Sequence, residues 1–241
     1  MTPVPVSPAP AVAVILPVLN EASGLEQALT SLIREQHFDE IIVVDGGSAD
    51  ASIEIVCKFM SSAAPDRHAV PVLIQSARGR AMQMHAGAQA SGADVLLFLH
   101  ADCTLPSGAA DDIREAVMGG CLWGRFDVRL TGGNFMFRVI ERLMNWRSRL
   151  SGIATGDQAL FVRSDVYRML GGYTPLPLME DVEFSSRLQW VGRPVRLPGP
   201  VLASSRRWEK HGILRTALLM WILRLLYWLG VSPARLARWY Y

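Results

Sequence analysis

Long uncharged hydrophobic runs are missing from this chain of 241 residues. Its most apolar stretch, Ile213 to Gly230, is interrupted by Arg215 and Arg224. A spanning helix needs about 20 largely uncharged residues, so no bilayer crossing is expected. Cysteine is scarce. Cys57, Cys103 and Cys121 are odd in number and show no CxxC or Cys/His spacing, which argues against a disulfide framework and a zinc site. A reducing cytoplasm fits that usage. Lysine is confined to Lys58 and Lys210, and the net charge is only +2, so no nucleic-acid partner is implied. No GxGxxG follows the first apolar run and no GxxxxGK[ST] occurs. The usual dinucleotide fold is disfavoured and a P-loop is excluded. The Pro-, Val- and Ala-rich start lacks a basic region and an apolar core, so residues 1–10 read as a short disordered lead, not a signal peptide.

What is present is an apolar chain, 50% hydrophobic, long enough for one α/β domain with a full core or for two small ones. Ala11 to Leu16 is a valine-rich run ending at Pro17, the mark of a buried parallel strand. Glu21 to Arg34 has helical spacing, with Asn20 or Ser23 as its cap. Ile41 to Val44, Val70 to Gln75 and Asp94 to Leu99 read as further strands, separated by helices near Ser52 to Met60 and Arg80 to Gln89. Such alternation predicts a parallel sheet with right-handed crossovers. The second half is less regular. Strands are expected at Trp123 to Leu130 and Ala159 to Val162, and helices at Phe135 to Leu150, Val166 to Leu170 and Glu183 to Trp190. No linker or repeat divides the chain. One domain from 11 to 212 is expected, completed by an apolar helical segment from 213 to 241.

That last segment carries Leu218, Trp221, Leu225 and Trp228 at helical spacing, with Arg235, Arg238 and Trp239 close behind. The pattern suits packing on the domain, a homodimer contact, or an interfacial helix on a membrane surface.

Ligands of parallel sheets bind outside the carboxyl ends of the strands. Polar residues collect there: Asn20 and Glu21 after the first strand, Asp45 after the second, His100 and Asp102 after the fourth. Further pieces follow in order, Gly156-Asp157-Gln158, Met179-Glu180-Asp181 and Ser205-Arg206-Arg207-Trp208. With Pro17-Val-Leu-Asn20-Glu21, Val43-Val-Asp45-Gly-Gly-Ser48 and Leu97-Phe-Leu-His100-Ala-Asp102, the chain from Val12 to Gly212 resembles family 2 glycosyltransferases of the GT-A fold. That fold is a Rossmann-like, mixed but mainly parallel sheet flanked by helices. The resemblance is to small bacterial single-domain members.

The resemblance implies an inverting sugar transferase with a nucleotide-diphosphate donor, a UDP-sugar by family habit. Pro17, Asn20, Glu21 and Asp45 would hold base and ribose, and Arg80 would reach the nucleotide. Asp50 is either part of this set or a helix cap. Asp102 would hold a divalent cation, Mn²⁺ or Mg²⁺, against the diphosphate. His100 stands where the family has its first aspartate, a variant reading Leu-His-Ala-Asp, and a histidine ligand would favour Mn²⁺. Asp181, next to Glu180, would take the acceptor's proton, although acids also suit a helix start. Gly156 and Asp157 would lie near the sugar or acceptor, or form a turn. Arg206, Arg207 and Trp208 would grip the diphosphate. The segment from Arg125 to Leu150 would face an acceptor that is lipid-linked or aromatic. Two alternatives stay open: a sugar-phosphate nucleotidyltransferase and a non-catalytic nucleotide-sugar binder. The expected location is cytoplasmic, at the inner membrane face if the last segment docks there.

Overall fold

The computed structural model describes residues 9–35, 37–61 and 69–240, and for Glu35 and Arg207 the backbone alone. The expected lead from 1 to 10 therefore falls largely outside the described residues.

Four strands build one half of a single eight-stranded sheet: β1 (Val12–Val18), β2 (Glu40–Asp45), β3 (Pro71–Gln75) and β4 (Val95–Phe98). They lie in the order β3-β2-β1-β4, all parallel. Every residue of β1 is buried, because a strand flanked by helices on both sheet faces has no wet side. The helices between them are α1 (Ala22–Glu35), α2 (Ser52–Ser61) and α3 (Arg80–Ala90). β1 runs through Pro17 to Val18 instead of stopping before the proline. Pro17 lies past the Val12–Ile15 register with β4, so its missing N–H breaks no ladder bond on that side.

The other half is mixed. β5 (Cys103–Thr104), β6 (Trp123–Leu130), β7 (Leu160–Arg163) and β8 (Val195–Ala203) extend the order as β4-β7-β6-β8-β5. β7 runs antiparallel to both β4 and β6, and β8 runs parallel to β6. Around them stand α4 (Ala109–Met118), α5 (Phe135–Ser151), α6 (Ser164–Met169) and α7 (Glu180–Leu188). α8 (Arg206–His211), α9 (Ile213–Trp228) and α10 (Pro233–Tyr240) close the chain. α4, β5, β8 and α8 were not legible in advance, whereas α9 and α10 fall within the helical segment expected from 213 to 241. β8 carries two prolines and a glycine, which mask a strand pattern. α7 begins at Glu180, three residues before the expected start, and ends at Leu188. The acids that obscure its apolar periodicity are its first turn.

The alternation of β1 divides the core. Val12, Val14, Leu16 and Val18 pack with Leu25 and Leu29 of α1, Ile113 of α4 and Phe137 of α5. Ala13 and Ile15 face the other way, with Met84 of α3, Tyr167 of α6 and Phe184 of α7. Phe98, Tyr167, Tyr173 and Phe184 form an aromatic cluster there, with ring centroids 4.5–6.2 Å apart. α3 comes close to the sheet because Gly87 has no side chain. A Cβ there would meet Ile15 Cγ2 at 2.5 Å and Val44 Cγ2 at 3.0 Å.

Gly87→Ala should therefore destabilise the protein by about 1–3 kcal/mol through overpacking, less a gain of up to about 1 kcal/mol in helix propensity. Urea unfolding should show a lower midpoint. A raised midpoint would contradict this packing of α3 on β1.

A candidate active site at the carboxyl edge of the sheet

The loops after β1 and β2 lock into each other. Asn20 N donates to Ser48 Oγ at 3.0 Å, and Ala49 N donates back to Asn20 Oδ1 at 2.8 Å. Glu21 N donates to Ser52 Oγ at 3.0 Å, and Ala22 N to Asp50 Oδ2 at 3.0 Å. Asp50 also accepts from Ser52 N at 3.0 Å. The first turn of α1 is thus capped from the neighbouring loop, and Asp50 acts as a cap for two helices at once. Asn20 holds a left-handed backbone, φ 56°, which asparagine tolerates. Asp45 is buried and accepts from Gly47 N at 2.9 Å and Ser48 N at 3.1 Å. Beneath both loops, Gln83 of α3 donates to Val18 O at 2.7 Å and Val44 O at 2.8 Å. The buried amide ties α3 to the ends of β1 and β2, and Val18 O also accepts from Gly46 N at 3.0 Å.

Beyond the loops lies a cavity of about 640 Å³. Pro17, Glu21 and Arg80 line one part of it, with His100 and Asp102 beside them. Gly156, Asp157, Glu180, Asp181 and Trp208 line the rest. Asn20, Asp45 and Arg206 do not line it. The first two shape the loops, while Arg206 donates through Nη1 to Ser23 Oγ at 2.7 Å, at the start of α1. The Arg207 side chain lies outside the described residues.

His100 is central. Its Nδ1 lies 3.4 Å from Asp157 Oδ1. Burial alone would lower the imidazole pKa, but the bonded Asp157, aided by Asp102, outweighs it and holds the pKa above its ordinary value. Asp157 is held below the usual carboxylate range, its own burial offset by the bond to His100. Glu21 is raised by burial and by the nearby charge of Asp102, with Arg206 and His100 opposing. Acids therefore converge from the ends of β1 and β4 and from the turn at Gly156–Gln158. His100, Cys103 and Asp157 offer ligand atoms within 4.8 Å of one another. Burial raises the Cys103 thiol well above its ordinary pKa, so it stays protonated and is a poor ligand. His100 and Asp157 remain of that group, with Asp102 lining the same cavity, and carboxylate oxygens with one imidazole nitrogen suit Mn²⁺ or Mg²⁺.

Across the cavity, Asp181 is fixed by two backbone donors, Gly156 N to Oδ2 at 2.9 Å and Val182 N to Oδ1 at 2.7 Å. Glu180 is buried and pairs with Arg80 Nε at 3.1 Å. That pair gives Arg80 its reason to stand at a helix start, where a cation is otherwise disfavoured. Burial raises the Glu180 pKa, Arg80 opposes this and Asp181 adds to it. Met179, just ahead, has φ 68° and is buried against Leu223 of α9 and Leu236 of α10. A left-handed methionine costs of order 1 kcal/mol, and the apolar contacts with α9 and α10 hold it there.

Thr216, Trp221 and Arg224 of α9 and Tyr240 of α10 complete the wall. Sequence reasoning missed these residues and Gln83 as parts of the site. The available signal was Arg224, a lone charge inside an apolar run, which counted only against membrane crossing. The segment from Arg125 to Leu150 contributes Leu130 and Met144 to the wall. Arg125 is instead buried and paired with Asp127 at 2.8 Å.

The model of a family described as Glycosyl transferase family 2 matches residues 13–170. An undecaprenyl-phosphate 4-deoxy-4-formamido-L-arabinose transferase of Pectobacterium carotovorum is 34% identical over 99 residues, 39% of this chain and 30% of the relative. The probable glycosyltransferase YdaM of Bacillus subtilis is 25% identical over 203 residues, 78% of this chain and 48% of its own. The chain thus spans under half the length of these curated relatives. Among solved structures, S. aureus TarS 1-349 superposes with a TM-score of 0.63 at 16% identity, over 81% of this chain and 60% of that one. The mannosyltransferase PcManGT from Pyrobaculum calidifontis, in complex with GDP-Man and Mn²⁺, gives 0.60 at 21% identity, over 81% and 56%. The likeness to these structures is one of fold, and the fold is GT-A.

A Cβ built on Gly156 would fall 2.2 Å from His100 Cε1. Gly156→Ala should displace the imidazole and lower kcat/KM about 10²-fold, the scale of a 1 Å misplacement, while thermal unfolding shows a folded protein. Full activity in a folded variant would mean that the position of His100 is not needed.

Proposed function

The chain belongs to glycosyl transferase family 2 and is a glycosyltransferase, and from that premise we propose that it transfers a sugar with inversion from a nucleotide-diphosphate donor to an acceptor hydroxyl. The reading rests on Asp181, a carboxylate held by Gly156 N at 2.9 Å in the same cavity as Asp102, His100 and Asp157. The donor lies on the Glu21, Asp102 and His100 side, its base and ribose against Pro17 and the interlocked loops that Asn20 and Asp45 shape. Trp208, which lines the cavity, lies on the diphosphate side, whereas Arg206 is engaged with Ser23. UDP is the expected nucleotide, in keeping with TarS, which has been solved with UDP and with UDP-GlcNAc. Asp102, His100 and Asp157 would hold a divalent cation, which when bound neutralises charge on the departing diphosphate.

Asp181 accepts the proton of the acceptor hydroxyl. The acceptor oxygen bonds to the anomeric carbon as the bond from that carbon to the diphosphate oxygen breaks. The electron pair leaves with the nucleoside diphosphate. One displacement from the opposite face inverts the anomeric centre. Glu180, paired with Arg80, positions Asp181 and keeps a second negative charge from crowding it. The family match speaks for sugar transfer over nucleotidyl transfer.

The segment from 213 to 241 serves, on this reading, as a platform at a membrane surface. Leu214, Leu218, Trp221, Trp228 and Trp239 are exposed, and no acidic residue follows Glu209. Exposed indoles among arginines suit an anionic interface. Among the described residues no helix is long and apolar enough to cross a membrane. A second copy of the chain is the competing occupant. Vesicles containing phosphatidylglycerol should carry the protein upward in flotation. Protein left wholly at the bottom would remove the membrane role.

Calorimetry with UDP, GDP, dTDP and CMP, with and without Mn²⁺, tests the donor side. One nucleoside diphosphate should bind in a metal-dependent way that Asp102→Ala abolishes. Asp181→Asn should keep that binding and lose about 10²–10⁴ in kcat. Wild-type turnover by Asp181→Asn, or a retained anomeric configuration in the product by NMR, would overturn the mechanism.

A further inference from the structure

Near Asp181, two arginines keep buried guanidinium nitrogens without a hydrogen-bond partner among the described residues. Arg147 stands on α5 and Arg224 on α9. Arg147 Nε and Nη2 and Arg224 Nε are shut off from solvent and make no hydrogen bond. Other enclosed arginines are paired with a carboxylate, Arg125 with Asp127, Arg114 with Asp39 and Arg187 with Glu183. The two guanidinium groups also lie in each other's field. Burial first, then the charge of Arg224, presses the Arg147 pKa down to about 9, with Asp181 opposing. At neutral pH Arg147 therefore remains a cation. Neighbouring like charges held from water without full hydrogen bonding are costly, and a bound anion would remove that cost.

We propose that Arg147 and Arg224 form an anion site on the acceptor side of Asp181, which takes a phosphate ester group of the acceptor. The assignment rests on the reading of Asp181 as the base. Arg224 lines the cavity together with Asp181, so a ligand in the cavity reaches it. A phosphate presents several strong acceptor oxygens and can span two guanidinium forks. The donor's diphosphate is a poorer match. The charged neighbours that act on Arg147 are Arg224, Asp181 and Arg125. None belongs to the cluster of Glu21, His100, Asp102 and Asp157. Anchored there, the phosphate ester would hold the acceptor hydroxyl beside Asp181.

The test is a calorimetric titration at saturating UDP and Mn²⁺, which occupies the donor side. The probes are inorganic phosphate, glucose 1-phosphate, and farnesyl phosphate in micelles, with farnesol in the same micelles as control. Wild type should bind the phosphate probes. Arg147→Gln and Arg224→Gln should each weaken them about ten-fold or more and leave UDP affinity unchanged. Arg147→Lys should fall between, since a lysine keeps the charge and loses the fork. Farnesyl phosphate binding much more tightly than glucose 1-phosphate supports the site and assigns a lipid source. Equal binding supports it and assigns a soluble ester. Absence of phosphate binding by wild type would overturn the proposal without any variant, as would farnesol binding as tightly as its phosphate. Phosphate affinity untouched in folded variants, or UDP affinity lost to the same degree, would overturn it too, the latter because the arginines would then serve the donor. Failure of the donor reading itself would show separately, as wild type that binds no nucleotide.

Discussion

Gly156 stands between the His100 ring and the Asp181 carboxylate, and the cavity can close around them because its α-carbon carries only hydrogen. Its N–H fixes Asp181 at 2.9 Å, and any side chain would collide with the imidazole. One residue thereby sets the spacing between the end of β4, which carries His100 and Asp102, and the start of α7, which carries Glu180 and Asp181. The contact is possible because β7, directly after the Gly156 turn, inserts antiparallel beside β4. The sheet reverses direction there, and the crevice forms at that point.

The donor side has a different physical basis. Polar side chains at the ends of β1 and β2 are largely spent on backbone groups of the opposing loop, and Gln83 closes the strand carbonyls from below. Few bare N–H groups remain for water, so the platform under a donor is stiff. A rigid, preorganised frame has less ordering entropy to lose on binding. Asp45, Asn20 and Asp50 serve this frame through contacts that sequence reading had divided between ligand binding and capping.

The C-terminal helices tie stability to chemistry. Leu223 and Leu236 bury Leu178 and Met179, and this packing offsets the left-handed backbone that aims Glu180 and Asp181 into the cavity. The same helices bring Arg224 to the wall and leave a row of indoles outside. The segment for which the sequence allowed packing on the domain, a homodimer contact or a membrane surface thus also supplies part of the cavity wall.

The parallel half of the sheet was legible from the sequence, because a strand buried on both faces leaves an unbroken apolar run, as in Val12–Val18, and its helices keep a regular period. Acids at successive strand ends pointed to the site for the same local reason. The mixed half was legible in part: β6, β7, α5 and α6 stand close to where their patterns placed them, but β8 and β5 at its edge were missed. The two-residue β5 and the proline-bearing β8 leave no periodic trace, and their existence depends on partners far along the chain. Tertiary structure alone decided that Arg80 meets Glu180, that Gly156 touches both His100 and Asp181, and that Arg147 and Arg224 lie in each other's field. Each of these joins residues from separate elements, and only the packing of those elements brings them within a few ångströms.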